Sequence, residues 1–417
     1  MFKTLARIPA LLRMFAGAGL AVAACGAMSA PLEIVGARMN EQVLMIPSAQ
    51  SRSELQTTIF KPDGNGPFPV VVMNHGKDGG DTHLQKRDRF LHFSREFVKR
   101  GYAVVVPMRR GFAGSTGNYW DYGCNMSGNG QLQANDVQGT LDWLRSQSWA
   151  DNDRILVAGQ SYGGLATMAL STRQLPGVKG MINFAGGLRS DGGDCQWQAA
   201  LVQAFSDYGS RDAYPTLWFY GENDSYFGPE LVKRLYAAYT KGGGTAELVS
   251  YGRFKNDAHG MVGSRDGVKI WWPETERFLK KIGLPTDQVV AIAEEPAMPP
   301  TNFAALDDVN AVPFLRERGR AAYRDYLTRS GPKAFAISAS GAWSWAEEGD
   351  DPVERVMASC QKNSRETCRL YAVDDNVVWV DNPGVPQATK LATSNPDPAA
   401  NASVGGGSQT GNTEKTR

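Results

Sequence analysis

Ser161 lies in a short motif whose spacing is typical of a serine nucleophile. Gly159-Gln-Ser-Tyr-Gly163 has the pattern G-x-S-x-G, and it stands between an apolar, strand-like run and a helix-like run. In such a strand–turn–helix unit the flanking glycines let the two elements approach, and the serine hydroxyl is presented at the carboxyl edge of the sheet. The next N–H, that of Tyr162, would then face a developing oxyanion. The motif and its context predict that Ser161 performs acyl transfer.

A serine nucleophile needs a general base, and the chain has only 4 histidines. His259 lies in the loop between the last predicted strand of the sheet and the following helix, at the same sheet edge as Ser161. The other histidines end an early strand, lie in a Gly/Asp-rich loop or lie within a helix (His75, His83 and His92). His259 is therefore the predicted base.

The base needs an acidic partner that fixes its tautomer. Asp224 follows the strand-like run TLWFYG by a few residues and stands between Ser161 and His259 in the chain. Glu222 is the competing acid, and Asp257 is interpreted as a turn residue because it lies only two positions before the histidine. The order serine, aspartate, histidine is that of the hydrolase triad.

The elements around these residues alternate between strand and helix. Apolar, β-branched runs predict strands over 42–47, 53–60, 70–74, 102–107, 154–159, 178–186, 216–221 and 246–252, whereas helical spacing predicts helices over 88–100, 131–147, 162–173, 229–241 and 268–282. This alternation predicts an α/β fold with a mostly parallel sheet covered by helices on both faces.

The motifs NHG (74–76), RRGFAGSTG (109–117), GQSYGG (159–164), GENDSYF (221–227) and DAHG (257–260) occur in one order along the chain. With them, the chain from about Gln42 to Ile282 resembles an α/β-hydrolase of the dienelactone-hydrolase-like group. The resemblance implies a second oxyanion N–H from Gly76 or Lys77, with His75 orienting that loop. The type enzyme of the group has cysteine where this chain has Ser161, which leaves acyl transfer unchanged and the substrate open.

These features predict a serine hydrolase that cleaves a carboxylic ester or lactone through an acyl-enzyme, with no metal and no organic cofactor. RRGFAGSTG is also similar to segments of prolyl-oligopeptidase-like and cocaine-esterase-like hydrolases, so a serine peptidase is the alternative. A binding protein on a catalytically dead hydrolase scaffold is the third reading. X-Pro peptidases of this kind add an all-β C-terminal domain, whereas the pattern over 313–383 is mixed α and β.

The resemblance implies a structural arginine in RRGFAGSTG, and the spacing suggests a buried ion pair between Arg110 and Asp136; a substrate role for Arg109 or Arg110 is the alternative. The long loop 108–130 is the expected wall of the site, and residues 185–215 have room for only a small cap. The candidate pocket residues are aromatic (Trp120, Tyr122, Trp197, Tyr226 and Phe227).

The cysteines and the N-terminus indicate export. Cys360 and Cys368 are close in sequence and are expected to pair, which leaves Cys124 to pair with Cys195 or both as free thiols. Residues 1–25 combine basic residues with a short apolar run, as in an export signal, and end either at a lipoprotein-like cleavage site before Cys25 or at a later signal-peptidase site. The expected location is the periplasm, the outer membrane through a lipid on Cys25, or the exterior.

The remaining organisation follows from composition. The predicted segments are a catalytic domain over 32–283, a linker over 284–312, a small α+β module over 313–383 and a disordered tail over 384–417. A formal net charge of +1 does not indicate nucleic-acid binding. The expected partner is a small ester, the substrate of the predicted activity. The module has no catalytic constellation, and its partner is left open.

Overall fold

The computed structural model describes residues 33–36, 38–48, 53–190, 195–293, 298–329, 332–347 and 351–381. The predicted export signal, including Cys25, and the predicted tail over 384–417 lie outside the described residues. No helix in the described part of the chain is long and apolar enough to cross a bilayer.

The described strands are β1 (Glu33–Val35), β2 (Gln42–Pro47), β3 (Glu54–Phe60), β4 (Phe68–Asn74), β5 (Ala103–Pro107), β6 (Ala150–Gln160), β7 (Val178–Phe184), β8 (Thr216–Tyr220), β9 (Ala246–Ser250), β10 (Val290–Ile292), β11 (Lys333–Ser338), β12 (Trp343–Glu347), β13 (Cys368–Val373) and β14 (Asn376–Val377). The described α-helices are α1 (Leu91–Val98), α2 (Met126–Leu144), α3 (Tyr162–Leu170), α4 (Trp197–Gly209), α5 (Pro229–Lys241), α6 (Val268–Lys281), α7 (Glu317–Leu327) and α8 (Pro352–Lys362). Short 3-10 helices cover Thr82–Leu84, Ala258–Gly263 and Val309–Ala311.

A central sheet carries the candidate site. Its strand order is β2-β3-β5-β4-β6-β7-β8-β9, with antiparallel pairs at β2–β3 and β3–β5 and parallel pairs from β5 onward. The central strands are buried on both faces because they are continuous apolar runs, as parallel strands under helices must be. The predicted fold class is confirmed.

The two faces of the sheet form separate cores. Val70 and Val72 of β4 point into the core built with α2, α3, α4 and α5, whereas the alternate residues Val71 and Met73 point into the core built with α1 and α6. This alternation is the two-residue period of a strand. Because the loops at the carboxyl ends of the parallel strands emerge at one edge, the residues after β4, β6, β8 and β9 meet there.

Helix α4 departs from the expectation that residues 185–215 form only a small cap. Its buried residues Leu201, Ala204, Phe205 and Tyr208 recur with helical spacing. They pack against α2 and α5 and the sheet, so this helix completes the core rather than covering the site.

The C-terminal part contains a second, antiparallel sheet in the order β12-β11-β13-β14, with α7 and α8 beside it. The mixed α and β character predicted here is present, and β12 is a strand that the sequence patterns did not indicate. A disulfide between Cys360 and Cys368 joins α8 to the start of β13. Outside both sheets, β1 pairs with β10 in parallel.

Candidate active site

Ser161 occupies the sharp turn between β6 and α3. Its backbone has φ 56° and ψ −122°, a conformation that costs a residue with a side chain about 1–3 kcal/mol. A Cβ atom added at Gly159 would lie 2.2 Å from the carbonyl oxygen of Gly163, and one added at Gly163 would lie 2.2 Å from that of Asn74. The glycines of the motif are therefore required by the contact of β6, α3 and the end of β4, which holds the serine in this turn.

His259 and Asp224 are brought together in the loops after β9 and β8. The Nδ1 atom of His259 lies 3.0 Å from Oδ2 and 3.2 Å from Oδ1 of Asp224, whose carboxylate is buried. The N–H groups of Tyr226 and Phe227 also donate to Oδ1 of Asp224. This arrangement places the Nδ1 proton against the carboxylate and leaves Nε2 as the acceptor that a general base needs.

Gln160, the residue before the candidate nucleophile, joins the two halves of the site. Its side-chain amide donates to the carbonyl oxygen of His259 at 3.2 Å. The competing acid Glu222 is exposed, and among the described residues the carboxylate that pairs with the His259 ring is that of Asp224. The geometry therefore brings Ser161, His259 and Asp224 to one sheet edge, in agreement with the order of residues in the sequence.

Asp257, interpreted from sequence as a turn residue, links the loop of the candidate acid Asp224 to that of the candidate base His259. Its Oδ1 accepts the N–H groups of His259 at 2.9 Å and of Ser225 at 3.1 Å, and its Oδ2 accepts the Ser225 hydroxyl at 2.6 Å. Burial opposes ionisation, but the hydrogen bonds from Ser225 and His259 outweigh it and hold the pKa of the Asp257 carboxyl below its usual value. The signal in the sequence is the D-x-H spacing, because an aspartate readily caps the N–H two residues later.

We expect Asp257→Ala to lower kcat about 10-fold, because the acid and base loops lose their shared acceptor, and to lower the free energy of unfolding by about 1–2 kcal/mol. Since folding lowers the pKa of Asp257, its stabilising contribution is present above the pKa of the unfolded chain. That contribution is lost as the pH falls through the lower folded value. Ester turnover and urea unfolding between pH 3 and 8 measure both effects.

Ser225→Ala, which removes one donor to Asp257, is the matched control, and it should lower kcat and the free energy of unfolding less. Equal kcat values for wild type and Asp257→Ala would contradict the bridging role.

The loop after β4 lies against the candidate nucleophile. A Cβ atom added at Gly76 would lie 3.2 Å from the Cβ of Ser161 and 2.6 Å from Oε1 of Gln160. The N–H groups of Gly76 and Lys77 donate to no acceptor within the described residues. The N–H of Tyr162 opens α3 and so has no acceptor inside the helix. Tyr162 follows Ser161 directly and Gly76 lies against it, and none of the N–H groups of Tyr162, Gly76 and Lys77 donates to an acceptor among the described residues.

His75 is fully buried beside this loop. Its Nε2 accepts the backbone N–H of Arg109 at 2.9 Å, so the ring proton is on Nδ1, which donates to the carbonyl oxygen of Gly76 at 2.6 Å. Burial, reinforced by the Arg109 charge, holds the pKa of His75 well below its usual value. His75 is therefore a neutral, fully engaged residue, and it contacts the loop that the family resemblance assigned to it.

The predicted ion pair between Arg110 and Asp136 is wrong. Asp136 accepts the backbone N–H of Arg110 at 2.9 Å through Oδ2, and the Ser48 hydroxyl at 2.6 Å through Oδ1. These two donors satisfy the carboxylate without the guanidinium. The spacing in the sequence correctly predicted a contact between Arg110 and Asp136. It did not distinguish a contact through the backbone N–H of Arg110 from one through its side chain.

A cavity of about 450 Å³ opens beside Ser161. Tyr226 and Phe227 line it as predicted, and the Tyr226 ring lies against that of His259, with centroids 4.5 Å apart and ring planes tilted by 39°. The other predicted aromatics, Trp120, Tyr122 and Trp197, do not line it. Lys77, a candidate oxyanion residue, also lines the cavity, as do Tyr119 and Asp121 of the loop expected to form a wall. Leu188 and Arg189 line it without having been predicted as site residues.

Local structure explains why these aromatics lie elsewhere. Trp120 and Tyr122 are about half exposed, and their ring centroids are 4.4 Å apart. The intervening residue, Asp121, lines the cavity. Side chains of alternate residues in an extended loop point to opposite sides. Trp197 lies behind the wall, with its ring 6.4 Å from that of Phe227.

A disulfide between Cys124 and Cys195 joins two walls of the cavity. The loop that ends at Cys124 contributes Asp121 and Gly123 to the lining, and the segment before Cys195 contributes residues 187–190. The expected Cys360–Cys368 bond is present, and of the two alternatives left open for Cys124 and Cys195 the structure contains the disulfide rather than free thiols. Two disulfides suit an oxidising compartment such as the periplasm or the exterior.

We expect replacement of both Cys124 and Cys195 by serine to raise KM several-fold with little change in kcat, because the two walls would move independently. The free energy of unfolding should fall by up to about 4 kcal/mol, since the bond closes a long loop. Michaelis–Menten kinetics and urea unfolding measure the two effects. The control replaces Cys360 and Cys368, which lie in the C-terminal part and should alter stability but not KM. A rise in KM of the same size in both double variants would refute the link between the first bond and the cavity.

Comparison with known proteins agrees with this architecture. Residues 53–209 match the family model of X-Pro dipeptidyl-peptidase (S15 family), a segment that contains Ser161 and ends before Asp224 and His259. The chain is 27% identical over 125 residues to the cocaine esterase of a Rhodococcus species; this covers 30% of the chain and 20% of the esterase. The chain thus spans a small part of the length of this relative.

Similar solved structures include a Klebsiella pneumoniae protein assigned as a dienelactone hydrolase, with 17% identity, a TM-score of 0.41 and coverage of 58% of this chain and 98% of that one. The Pyrococcus furiosus esterase Pf2001 has 14% identity, a TM-score of 0.42 and coverage of 58% and 93%. Porphyromonas gingivalis dipeptidyl peptidase 4 has 17% identity and a TM-score of 0.44, with coverage of 58% of this chain and 35% of that one.

These similarities agree with the parallel sheet and the strand–serine–helix turn of this chain. Residues 53–209, which contain Ser161, are similar to the S15 family of X-Pro dipeptidyl-peptidases, and part of the chain is similar to a cocaine esterase.

Proposed function

We propose that this protein is a serine hydrolase that cleaves carboxylic esters through a Ser161–His259–Asp224 triad. The observation that carries the proposal is that these three residues lie at one edge of the sheet. The carboxylate of Asp224 is hydrogen-bonded to Nδ1 of His259. The side chain of Gln160, the residue before the serine, donates to the carbonyl oxygen of His259. These contacts support the proposal because a serine hydrolase needs a base whose tautomer is fixed by an acid near the nucleophile.

The reaction has two stages. Oγ of Ser161 attacks the ester carbonyl while Nε2 of His259 takes the hydroxyl proton. The oxyanion accepts hydrogen bonds from the N–H of Tyr162 and from that of Gly76 or Lys77. When the C–O bond breaks, the histidine returns the proton to the leaving alcohol. Water, deprotonated by the histidine, then attacks the acyl-enzyme and releases the acid and the free serine.

The cavity supports a substrate of moderate size. Its volume of about 450 Å³ lies in the range typical of small-molecule sites. Phe227 and Tyr226 supply apolar surface next to the triad, and Lys77, Asp121 and Arg189 supply charges of both signs. An ester with a short apolar acyl chain and a polar remainder suits this lining.

A peptidase activity is the second candidate, because the matched family is that of X-Pro dipeptidyl-peptidases. The C-terminal part favours the esterase, since helices α7 and α8 lie against its sheet instead of an all-β domain. The deciding experiment compares kcat/KM for p-nitrophenyl acetate and butyrate with that for alanyl-prolyl p-nitroanilide, using one enzyme preparation. We expect the esters to exceed the anilide at least 100-fold. The reverse order would make the protein a peptidase.

A further inference from the structure

Arg109 is a fully buried arginine with no carboxylate within ion-pair distance in the described part of the chain. It follows β5 and lies beneath the loop of Gly76 and Lys77. An arginine taken out of water without a counter-ion is costly, so its acceptors are informative. They are all neutral oxygens.

The guanidinium divides its donors between α2 and the loop after β4. Nε donates to Oε1 of Gln133 at 2.7 Å, which fixes the plane of the group. Nη1 donates to the carbonyl oxygen of His75 at 2.7 Å, and Nη2 lies 3.5 Å from that of Gly76. The backbone N–H of Arg109 holds the His75 ring, whose Nδ1 donates to the same Gly76 oxygen.

These two carbonyls belong to the peptide groups that carry the candidate oxyanion donors. The carbonyl of His75 shares a peptide plane with the N–H of Gly76, and the carbonyl of Gly76 shares one with the N–H of Lys77. In a trans peptide the C=O and N–H bonds point in opposite directions. Holding both carbonyls toward Arg109 and His75 therefore directs both N–H bonds away from them, while the loop lies against Ser161.

We infer that Arg109 is a positioning residue for the oxyanion site: its guanidinium orients the Gly76 and Lys77 peptide groups and polarises them, so that their N–H groups become stronger donors. This inference rests on the proposed ester hydrolysis. A cation on the carbonyl end of a peptide increases the positive charge on its N–H end, and a low-dielectric interior strengthens the effect. Preoriented donors of this kind stabilise a developing oxyanion without reorganisation.

The charge persists under working conditions. Burial lowers the pKa of Arg109 to about 10, opposed by the nearby Tyr162 and Asp136. The group is thus a cation at neutral pH. Its neighbour Arg110 is the natural comparison, because its side chain contacts neither carbonyl.

The test uses Arg109→Met and Arg109→Lys, with Arg110→Met as the matched control. Each variant is assayed with p-nitrophenyl acetate and with the corresponding thionoester, whose sulfur accepts hydrogen bonds poorly. For Arg109→Met we expect kcat for the oxygen ester to fall about 10- to 100-fold, with KM within about twofold. The thionoester should lose less than about threefold, and Arg109→Lys should recover part of the oxygen-ester rate. Arg110→Met should keep the wild-type ratio of kcat for the oxygen ester to kcat for the thionoester.

A loss of equal size for both esters would show a general structural defect and overturn the inference, as would an unchanged kcat. If Arg109→Met does not fold, as judged by circular dichroism, Gln133→Met takes its place, because it releases Nε and should lower the oxygen-to-thiono ratio about threefold. An unchanged ratio in that variant also overturns the inference. A wild-type protein that turns over no ester would instead refute the proposed function, and the role of Arg109 with it.

Discussion

Replacement of Ser161 by alanine is expected to lower kcat/KM for p-nitrophenyl acetate by about 10⁴- to 10⁶-fold. The hydroxyl is the only group at the turn that can form the acyl-enzyme, and a water molecule activated by His259 would replace it poorly. KM should change little, because the cavity walls and the N–H groups around the site are unchanged. The residual rate would reflect the oxyanion site and substrate binding alone.

Turnover and covalent labelling by a fluorophosphonate, read by intact mass, measure this effect together. Labelling should disappear in Ser161→Ala and persist in Ser146→Ala, whose hydroxyl bonds to the carbonyl of Trp143 at the end of α2. The turn offers a further check on folding. Because Ser161 has φ 56°, Ser161→Gly should be inactive yet at least as stable as Ser161→Ala. Wild-type turnover by either variant would refute the proposed mechanism.

The second large effect is expected for Asp224→Asn, with a fall in kcat of about 10⁴-fold. An asparagine can turn its amide group toward Nδ1 of His259 and donate to it, which moves the ring proton to Nε2. A histidine protonated there cannot accept the serine proton. The N–H groups of Tyr226 and Phe227 keep an oxygen acceptor in this variant, so the loop should retain its shape.

Steady-state kinetics and thermal melting separate chemistry from folding in this variant. Glu222→Gln is the matched control, since it removes an exposed carboxylate two residues away and should alter kcat less than twofold. A larger loss in Glu222→Gln than in Asp224→Asn would assign the acid to Glu222. A melting temperature that falls in parallel with kcat would indicate a folding defect instead.

The alternating apolar runs predicted all eight strands of the central sheet and five of the helices beside it. With the G-x-S-x-G motif, the order of these elements predicts Ser161, Asp224 and His259 as the candidate triad at one sheet edge. Strand and helix periods are local properties, and the carboxyl ends of parallel strands must meet at one edge. Helix α4 and strand β12, a short strand at the edge of the second sheet, were not predicted.

Contacts between loops were decided only by the tertiary structure. Asp257 joins the acid and base loops, Gln160 reaches the carbonyl of His259, and the buried guanidinium belongs to Arg109 rather than to an Arg110–Asp136 pair. The sequence determined which residue types are available at the sheet edge, because those positions follow from element order. Which side chain turns inward in each irregular loop depends on burial and on partners distant along the chain, and no period in the sequence encodes that choice.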